Sequence, residues 1–129
     1  MKIIFDTYAL LEYYIFGNKA YDRYFVELKK QQGAVHKLIL IEFYTAALRE
    51  TNEEQAIFWY MQILGNFELL EITDNIIFDA GKIKLQSIKE KTNLSYSDCI
   101  SLAFALIPGC AVLTGDQGFK NMENVIFVK

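Results

Sequence analysis

Lys2-Ile3-Ile4-Phe5-Asp6-Thr7 is the stretch on which the reading of this chain turns. Three large apolar residues in an unbroken row suit a strand covered on both faces, as in the middle of a parallel sheet, and a carboxylate follows where that strand emerges. In open α/β sheets ligands bind outside the carboxyl ends of the strands, so an acid at this point is a natural first member of a site. Asp6 has a second reading, as the N-cap of the helix predicted by Tyr8-Ala9-Leu10-Leu11-Glu12-Tyr13-Tyr14. The residue by itself does not separate the two.

The same arrangement recurs near the other end of the chain. Cys110-Ala111-Val112-Leu113-Thr114 reads as a buried strand, Gly115-Asp116-Gln117-Gly118 as a turn, and Asn124 to Val128 as a final strand, so Asp116 again follows an apolar strand. Just before them, Ser95-Tyr96-Ser97-Asp98 has the capping-box pattern. It opens a nearly all-apolar helix through Ile100, Leu102, Ala103, Ala105 and Leu106, which Pro108-Gly109 ends. A helix of that composition must be buried, and Ser101, Ala103 and Ala105 are small enough to let it lie close against a sheet.

Between these ends the pattern alternates. Asn18 to Gln32 predicts a helix with Tyr21, Tyr24, Phe25 and Leu28 on one face, Gly33 to His36 a short strand, and Ile39 to Glu50 a helix with Glu42 in its first turn. An acid there is favoured by the helix dipole, which is its ordinary explanation. Thr51-Asn52-Glu53-Glu54 reads as a capping box for a helix that Gly65 ends, Phe67 to Ile72 as a strand, and Thr73-Asp74 as the start of a helix to about Lys91. Lys82 and Lys89 fall on one side of that helix and Lys84 and Lys91 on the other, at about 100° per residue. There is no single basic stripe, and one pair at most faces a substrate.

A chain of 129 residues matches one domain, 1–129, with enough surface to bury a sizeable core. Its net charge of −3 argues against holding nucleic acid through bulk positive charge, and leaves open an approach to phosphates through bound metal ions. No apolar run approaches the roughly 18 residues of a membrane span, and no charged-then-apolar leader begins at Met1. A soluble cytoplasmic protein is expected. Cys99 and Cys110 form no CxxC pair and read as buried hydrophobes in a reducing compartment, and the lone His36 reads as a surface or strand-end residue rather than a ligand. Aromatic residues crowd the segment from Tyr8 to Phe25, with Tyr13, Tyr14, Phe16, Tyr21 and Tyr24 between. Either some form an exposed patch that serves as an interface, or the tyrosines keep their rings buried and their hydroxyls wet.

Strand and helices in alternation predict an α/β fold, a three-layer α/β/α sandwich around a central parallel sheet of about five strands. Right-handed crossovers bring every strand end to one edge. Asp6 and Asp116 then lie at strand ends on that edge, with Asp98 and Glu42 in the first turns of helices that can start there. Each acid has a local structural explanation, but four such explanations that place a carboxylate at the same rim are less economical than one acidic site.

Taken in order, Asp6-Thr7 after an apolar strand, Glu42 opening a helix, Asp98-Cys99-Ile100-Ser101-Leu102-Ala103, and Thr114-Gly115-Asp116-Gln117-Gly118-Phe119 resemble the motifs of PIN-domain ribonucleases. The compact form is similar to the VapC toxins of toxin–antitoxin pairs, and the resemblance spans essentially the whole chain. It implies a metal-dependent endoribonuclease using Mg²⁺ or Mn²⁺, with Asp6, Asp98 and Asp116 as the metal-binding set, directly or through water. Glu42 is then a fourth ligand or the group that orients or deprotonates the attacking water. Thr114 would orient Asp116 and Thr7 would orient Asp6, unless each hydroxyl satisfies local backbone instead. Gly118 stands where many relatives carry a further acid, which leaves one or two metal ions open. The resemblance implies an RNA substrate and an antitoxin protein as partners, and the aromatic excess between Tyr8 and Phe25 predicts a homodimer through the region where the antitoxin tail docks.

Four carboxylates at close range repel, so either some stay protonated or hard cations neutralise them; Mg²⁺ and Mn²⁺ suit an all-oxygen donor set. A haloacid-dehalogenase-type phosphatase needs a second Asp two residues after the first, where this chain has Tyr8. A receiver domain does not fit the placement of Glu42 and Asp98. A stand-alone RNA-processing nuclease and a non-catalytic PIN-like interaction domain are the other readings, and the second would ordinarily have lost one or more of the acids.

Overall fold

The computed structural model describes residues 1–27 and 32–129. Within them β1 (Lys2–Phe5) is the central strand of a five-stranded parallel sheet of order β3-β2-β1-β4-β5, formed with β2 (Gln32–Val35), β3 (Glu68–Leu69), β4 (Cys110–Thr114) and β5 (Val125–Phe127). Ile4 pairs with Ala34 on one side and with Val112 on the other. The apolar runs behave as strands covered on both faces: Ile4, Phe5, Val35, Val112 and Leu113 are all essentially inaccessible to solvent. The expected α/β/α architecture is therefore present, and the strand order reverses at β1.

Helices α1 (Thr7–Tyr14), α2 (Asp22–Val26), α3 (Lys37–Glu50) and α4 (Glu53–Asn66) connect β1, β2 and β3, and α1, α3 and α4 pack on one another. The return from β3 to β4 runs through α5 (Asp74–Glu90) and α6 (Tyr96–Ala105), which pair closely, with α6 against β4 and β1. Since successive parallel crossovers are right-handed, reversing direction at β1 puts the first four helices on one face and the last two on the other. Ile100, Ala103 and Phe104 are buried, as an apolar helix with small residues requires.

Several local expectations need correction. The helix read from Asn18 to Gln32 is a 3-10 turn (Lys19–Tyr21) followed by α2, Gln32 already belongs to β2, and Leu28 lies outside the described residues. Helix α4 is capped by Asn52, whose side chain accepts from the Gln55 N–H at 2.9 Å. Thr51 instead closes α3, donating its hydroxyl to the Ala47 carbonyl. The strand read from Phe67 to Ile72 is only Glu68–Leu69, a short edge of the kind that discourages further pairing.

The aromatic crowding between Tyr8 and Phe25 is mostly internal. Tyr21 and Phe25 are buried; Tyr13 stacks on Phe25 with ring centroids 3.8 Å apart, and Tyr14 meets Trp59 of α4 at 5.3 Å. Tyr8 and Phe16 are the exposed ones. Larger sets of exposed apolar side chains lie elsewhere, Ile41, Ile57, Phe58 and Met61 on α3 and α4 and Ile77, Phe78 and Leu85 on α5. Cys99 is buried and Cys110 half-buried, and both are free thiols. No helix among the described residues is long and apolar enough to cross a membrane.

Candidate active site

Asp6 leaves β1 with extended backbone and caps α1, its Oδ1 accepting from the Ala9 N–H at 2.9 Å. Capping does not account for its depth. The residue is only 4% exposed, and burial, followed by the charges of Asp98 and Asp116, raises its pKa from 3.8 to about 7, against the opposing hydrogen bonds from Thr114 and the Ala9 N–H. A helix cap needs no such burial. One oxygen fixes the helix start, and the carboxyl lies near enough to Asp98 and Asp116 to feel their charges.

Thr114, the last residue of β4, is fully buried. Its hydroxyl accepts from the Asp116 N–H at 3.0 Å and lies close enough to the Asp6 carboxyl to favour its charged form, so it links the ends of the two central strands. Asp116 caps the 3-10 turn Gln117–Phe119 through a 3.0 Å bond from the Gly118 N–H to Oδ1. The backbone here has no room for a side chain at Gly115. A Cβ at that position would collide with the Tyr21 hydroxyl and come within 2.9 Å of Tyr8 Cε1.

Asp98 makes the capping box expected of it, accepting from the Ser95 N–H at 3.0 Å while the Ser95 hydroxyl accepts from the Asp98 N–H. Burial raises its pKa too, and the charges of Asp116 and Glu42 add to that. Glu42 departs from the expectation. Helix α3 begins at Lys37, so Glu42 stands in the second turn, where the dipole no longer explains an acid. Thr7 donates to Glu42 Oε1 at 2.7 Å rather than to Asp6. Thus each acid has an oxygen tied by a hydrogen bond, local for all but Glu42, and Asp6 feels the charges of Asp98 and Asp116 while Asp98 feels those of Asp116 and Glu42.

Among the described residues no three acids, histidines or cysteines close on one point as a ready metal cage. The donor set still fits a hard divalent ion, because Mg²⁺ keeps several waters and is commonly held by one or two direct carboxylates. The ion pairs among the described residues, Lys2 with Glu68 and Arg49 with Glu50, involve none of the four acids.

Two supporting residues escaped the reading of the sequence. His36 does end a strand, but it is fully buried rather than on the surface. Its Nδ1 accepts from the Ile39 N–H at 3.4 Å, which leaves the proton on Nε2, 3.0 Å from Ser101 Oγ, and burial lowers its pKa to about 4. The imidazole is therefore a neutral link between the start of α3, which carries Glu42, and α6, which carries Asp98. Ser101 was the available signal, since a hydroxyl in an apolar buried helix needs a partner. The second is Tyr21, whose hydroxyl comes up from the core against Gly115.

The fold has counterparts of known structure. The VapBC2 complex from Rickettsia felis bound to a DNA fragment from its promoter contains a chain that superposes with a TM-score of 0.79 at 16% identity, covering 98% of this chain and 97% of that one. DNA-bound VapBC from Salmonella typhimurium gives 0.79 at 15% identity, covering 98% and 96%, and PAE2754 from Pyrobaculum aerophilum gives 0.69 at 18%, covering 99% and 92%. No curated protein matches the chain. At these identities the likeness speaks for the fold. The PIN domain family model matches residues 3–125, from β1 to β5 and across all four acids, and the chain belongs to the PIN domain family.

Proposed function

We propose that this chain is a metal-dependent endoribonuclease and the toxin of a toxin–antitoxin pair, acting on RNA in the cytoplasm as a single nuclease domain. The observation that carries the reading is the set of four carboxylates at the strand edge, where Asp6 feels the charges of Asp98 and Asp116 and Asp98 those of Asp116 and Glu42, with no basic side chain paired to any of them among the described residues. A cation that offsets its burial and its neighbours would favour the ionised form of a buried carboxyl whose pKa stands at about 7.

Asp6, Asp98 and Asp116 would hold Mg²⁺ or Mn²⁺, one or two directly and the others through water. Such an ion supplies Lewis acidity, acidifying water and stabilising the charge that builds on the phosphoryl and leaving oxygens. The chain supplies placement. Thr114 fixes Asp6 and Asp116 relative to each other, and the Ser95 capping bonds fix Asp98. Glu42, with Oε1 held by Thr7, has Oε2 left to orient the attacking water and take its proton.

The VapBC structures named above support an antitoxin partner for this chain. A groove between α1, α2 and α4, lined by Tyr13, Tyr14, Phe25, Val26, Trp59 and Gln62, suits an apolar tail segment. A basic side chain from that tail would be drawn to the acids and displace the metal. Self-association as a symmetric dimer would cover exposed apolar surface on the helices. The test of the activity is cleavage of RNA by purified chain. Mg²⁺ or Mn²⁺ should support it, excess chelator should stop it, and Asp98→Asn should abolish it while the protein stays folded. Undiminished cleavage in chelator, or a fully active Asp98→Asn, would overturn the proposal.

A further inference from the structure

Two tyrosines stand exposed at the acidic edge, one beside each of two acids. Tyr8, 42% exposed, is in the first turn of α1, two residues after Asp6; Tyr96, 65% exposed, is in the first turn of α6, two residues before Asp98. Large exposed aromatics are costly to display in water, and neither of these is loose. The Lys84 ammonium lies 4.9 Å from the centroid of the Tyr96 ring and donates to the Leu94 carbonyl, so one face of that ring is covered by a cation anchored to the backbone. The Tyr8 ring is seated against Gly115, the residue before Asp116, where even a Cβ would come within 2.9 Å of it.

Aromatic faces that are exposed, held in place and set beside a phosphate-directed site are what unpaired nucleobases stack on. We propose that Tyr8 and Tyr96 are substrate-positioning residues that stack on unpaired bases flanking the scissile phosphate, with Lys84 fixing Tyr96. The assignment rests on the ribonuclease reading for its substrate. It adds the residues that grip the strand on either side of the acids. Every base has a stacking face, so the grip tolerates sequence and favours purines. A duplex, whose bases are already stacked, would gain nothing from it.

The test uses the full chain carrying Asp98→Asn, in Mg²⁺, and end-labelled single strands of about ten nucleotides, within the span such surfaces cover. The strands are oligo(A), oligo(U) and an abasic ribose-phosphate chain of equal length and charge. Stacking contributes roughly 1–3 kcal/mol per base, so two stacked bases should make oligo(A) bind roughly 25- to 20,000-fold tighter than the abasic strand, each tyrosine accounting for about 5- to 150-fold. Tyr8→Ala and Tyr96→Ala should each lose a factor of that order on oligo(A) and nothing on the abasic strand, and the Phe variants should keep the preference. Tyr8→Leu, which fills the space over Gly115 without a π-face, should behave as Tyr8→Ala and covers the case in which Ala disturbs the fold. Equal binding of oligo(A) and the abasic strand, or Ala and Leu variants that bind as the Phe variants do, would overturn the assignment. Cleavage by the chain with Asp98 intact is scored separately. Cleavage whose kcat/KM is unmoved by the tyrosine substitutions refutes the stacking role and leaves the nuclease standing, whereas a stacking preference without cleavage does the reverse.

Discussion

Asp6→Asn should stabilise the metal-free protein, and by an amount that depends on pH. The folded chain holds the Asp6 proton more tightly than the unfolded chain, with a pKa of about 7 against 3.8. The contribution to stability is therefore full below about pH 3.8, is lost as pH rises to about 7, and is constant above that. About three pKa units correspond to roughly 4 kcal/mol, and water entry beside an ionised carboxylate will reduce that. Asparagine keeps the cap on Ala9 and the size of the side chain, and it has no charge to bury. In chelator at about pH 8, the variant should unfold at a urea concentration higher than wild type by on the order of 1 to 3 M. Near pH 4 the two midpoints should nearly coincide. Comparing the two proteins at each pH removes the titration of groups remote from the site. Saturating Mg²⁺ should raise the wild type and leave the variant unmoved, closing the gap at high pH. A difference in midpoint that is the same at both pH values would refute the reasoning, because it would mean that Asp6 ionises in the folded state as freely as in the unfolded one.

Two further predictions follow from packing. Gly115→Ala should destabilise the fold by about 1–3 kcal/mol, since the new methyl meets the Tyr21 hydroxyl and the Tyr8 ring and pushes at the backbone carrying Asp116; pairing it with Tyr21→Phe should recover part of the loss, and a neutral Gly115→Ala in denaturant titration would contradict the close approach. For partners, the proposed function predicts by light scattering a dimer mass for the chain alone and a larger complex when a VapB-type antitoxin is added. Because Tyr13 and Tyr14 pack inside, the informative changes are at exposed Phe16 and Phe58, and a chain that stays monomeric at high concentration would remove the case for the dimer.

Much of the candidate site's local geometry could be read from the sequence because its acids sit where local rules act. Asp6 and Asp116 follow apolar runs that can only be covered strands, and Asp98 lies in a capping box whose two bonds form as the pattern requires. What escaped was set by contacts distant along the chain. Thr7 lies beside Asp6 in sequence yet bonds to Glu42 on another helix, and Ser101 acquires its partner from His36, 65 positions away. Thr51 and Asn52 are both good caps, and the choice between them depends on where the preceding helix runs out, which periodicity gives only to within a residue or two. Gly115 read as turn chemistry. Its reason is tertiary, the approach of two tyrosines from elements more than ninety residues earlier in the numbering.

The most direct test of the central claim is to cleave RNA in ¹⁸O-labelled water with Mg²⁺ and examine the new ends. Water held by the acidic edge and delivered to phosphorus should leave label on the terminal phosphate, with cleavage persisting in a strand that lacks the 2′-hydroxyl at the cut, and with all products absent for Asp98→Asn. Unlabelled 2′,3′-cyclic phosphate ends would contradict it, because they would show that the RNA's own hydroxyl, and not a water activated by Asp6, Glu42, Asp98 and Asp116, is the nucleophile.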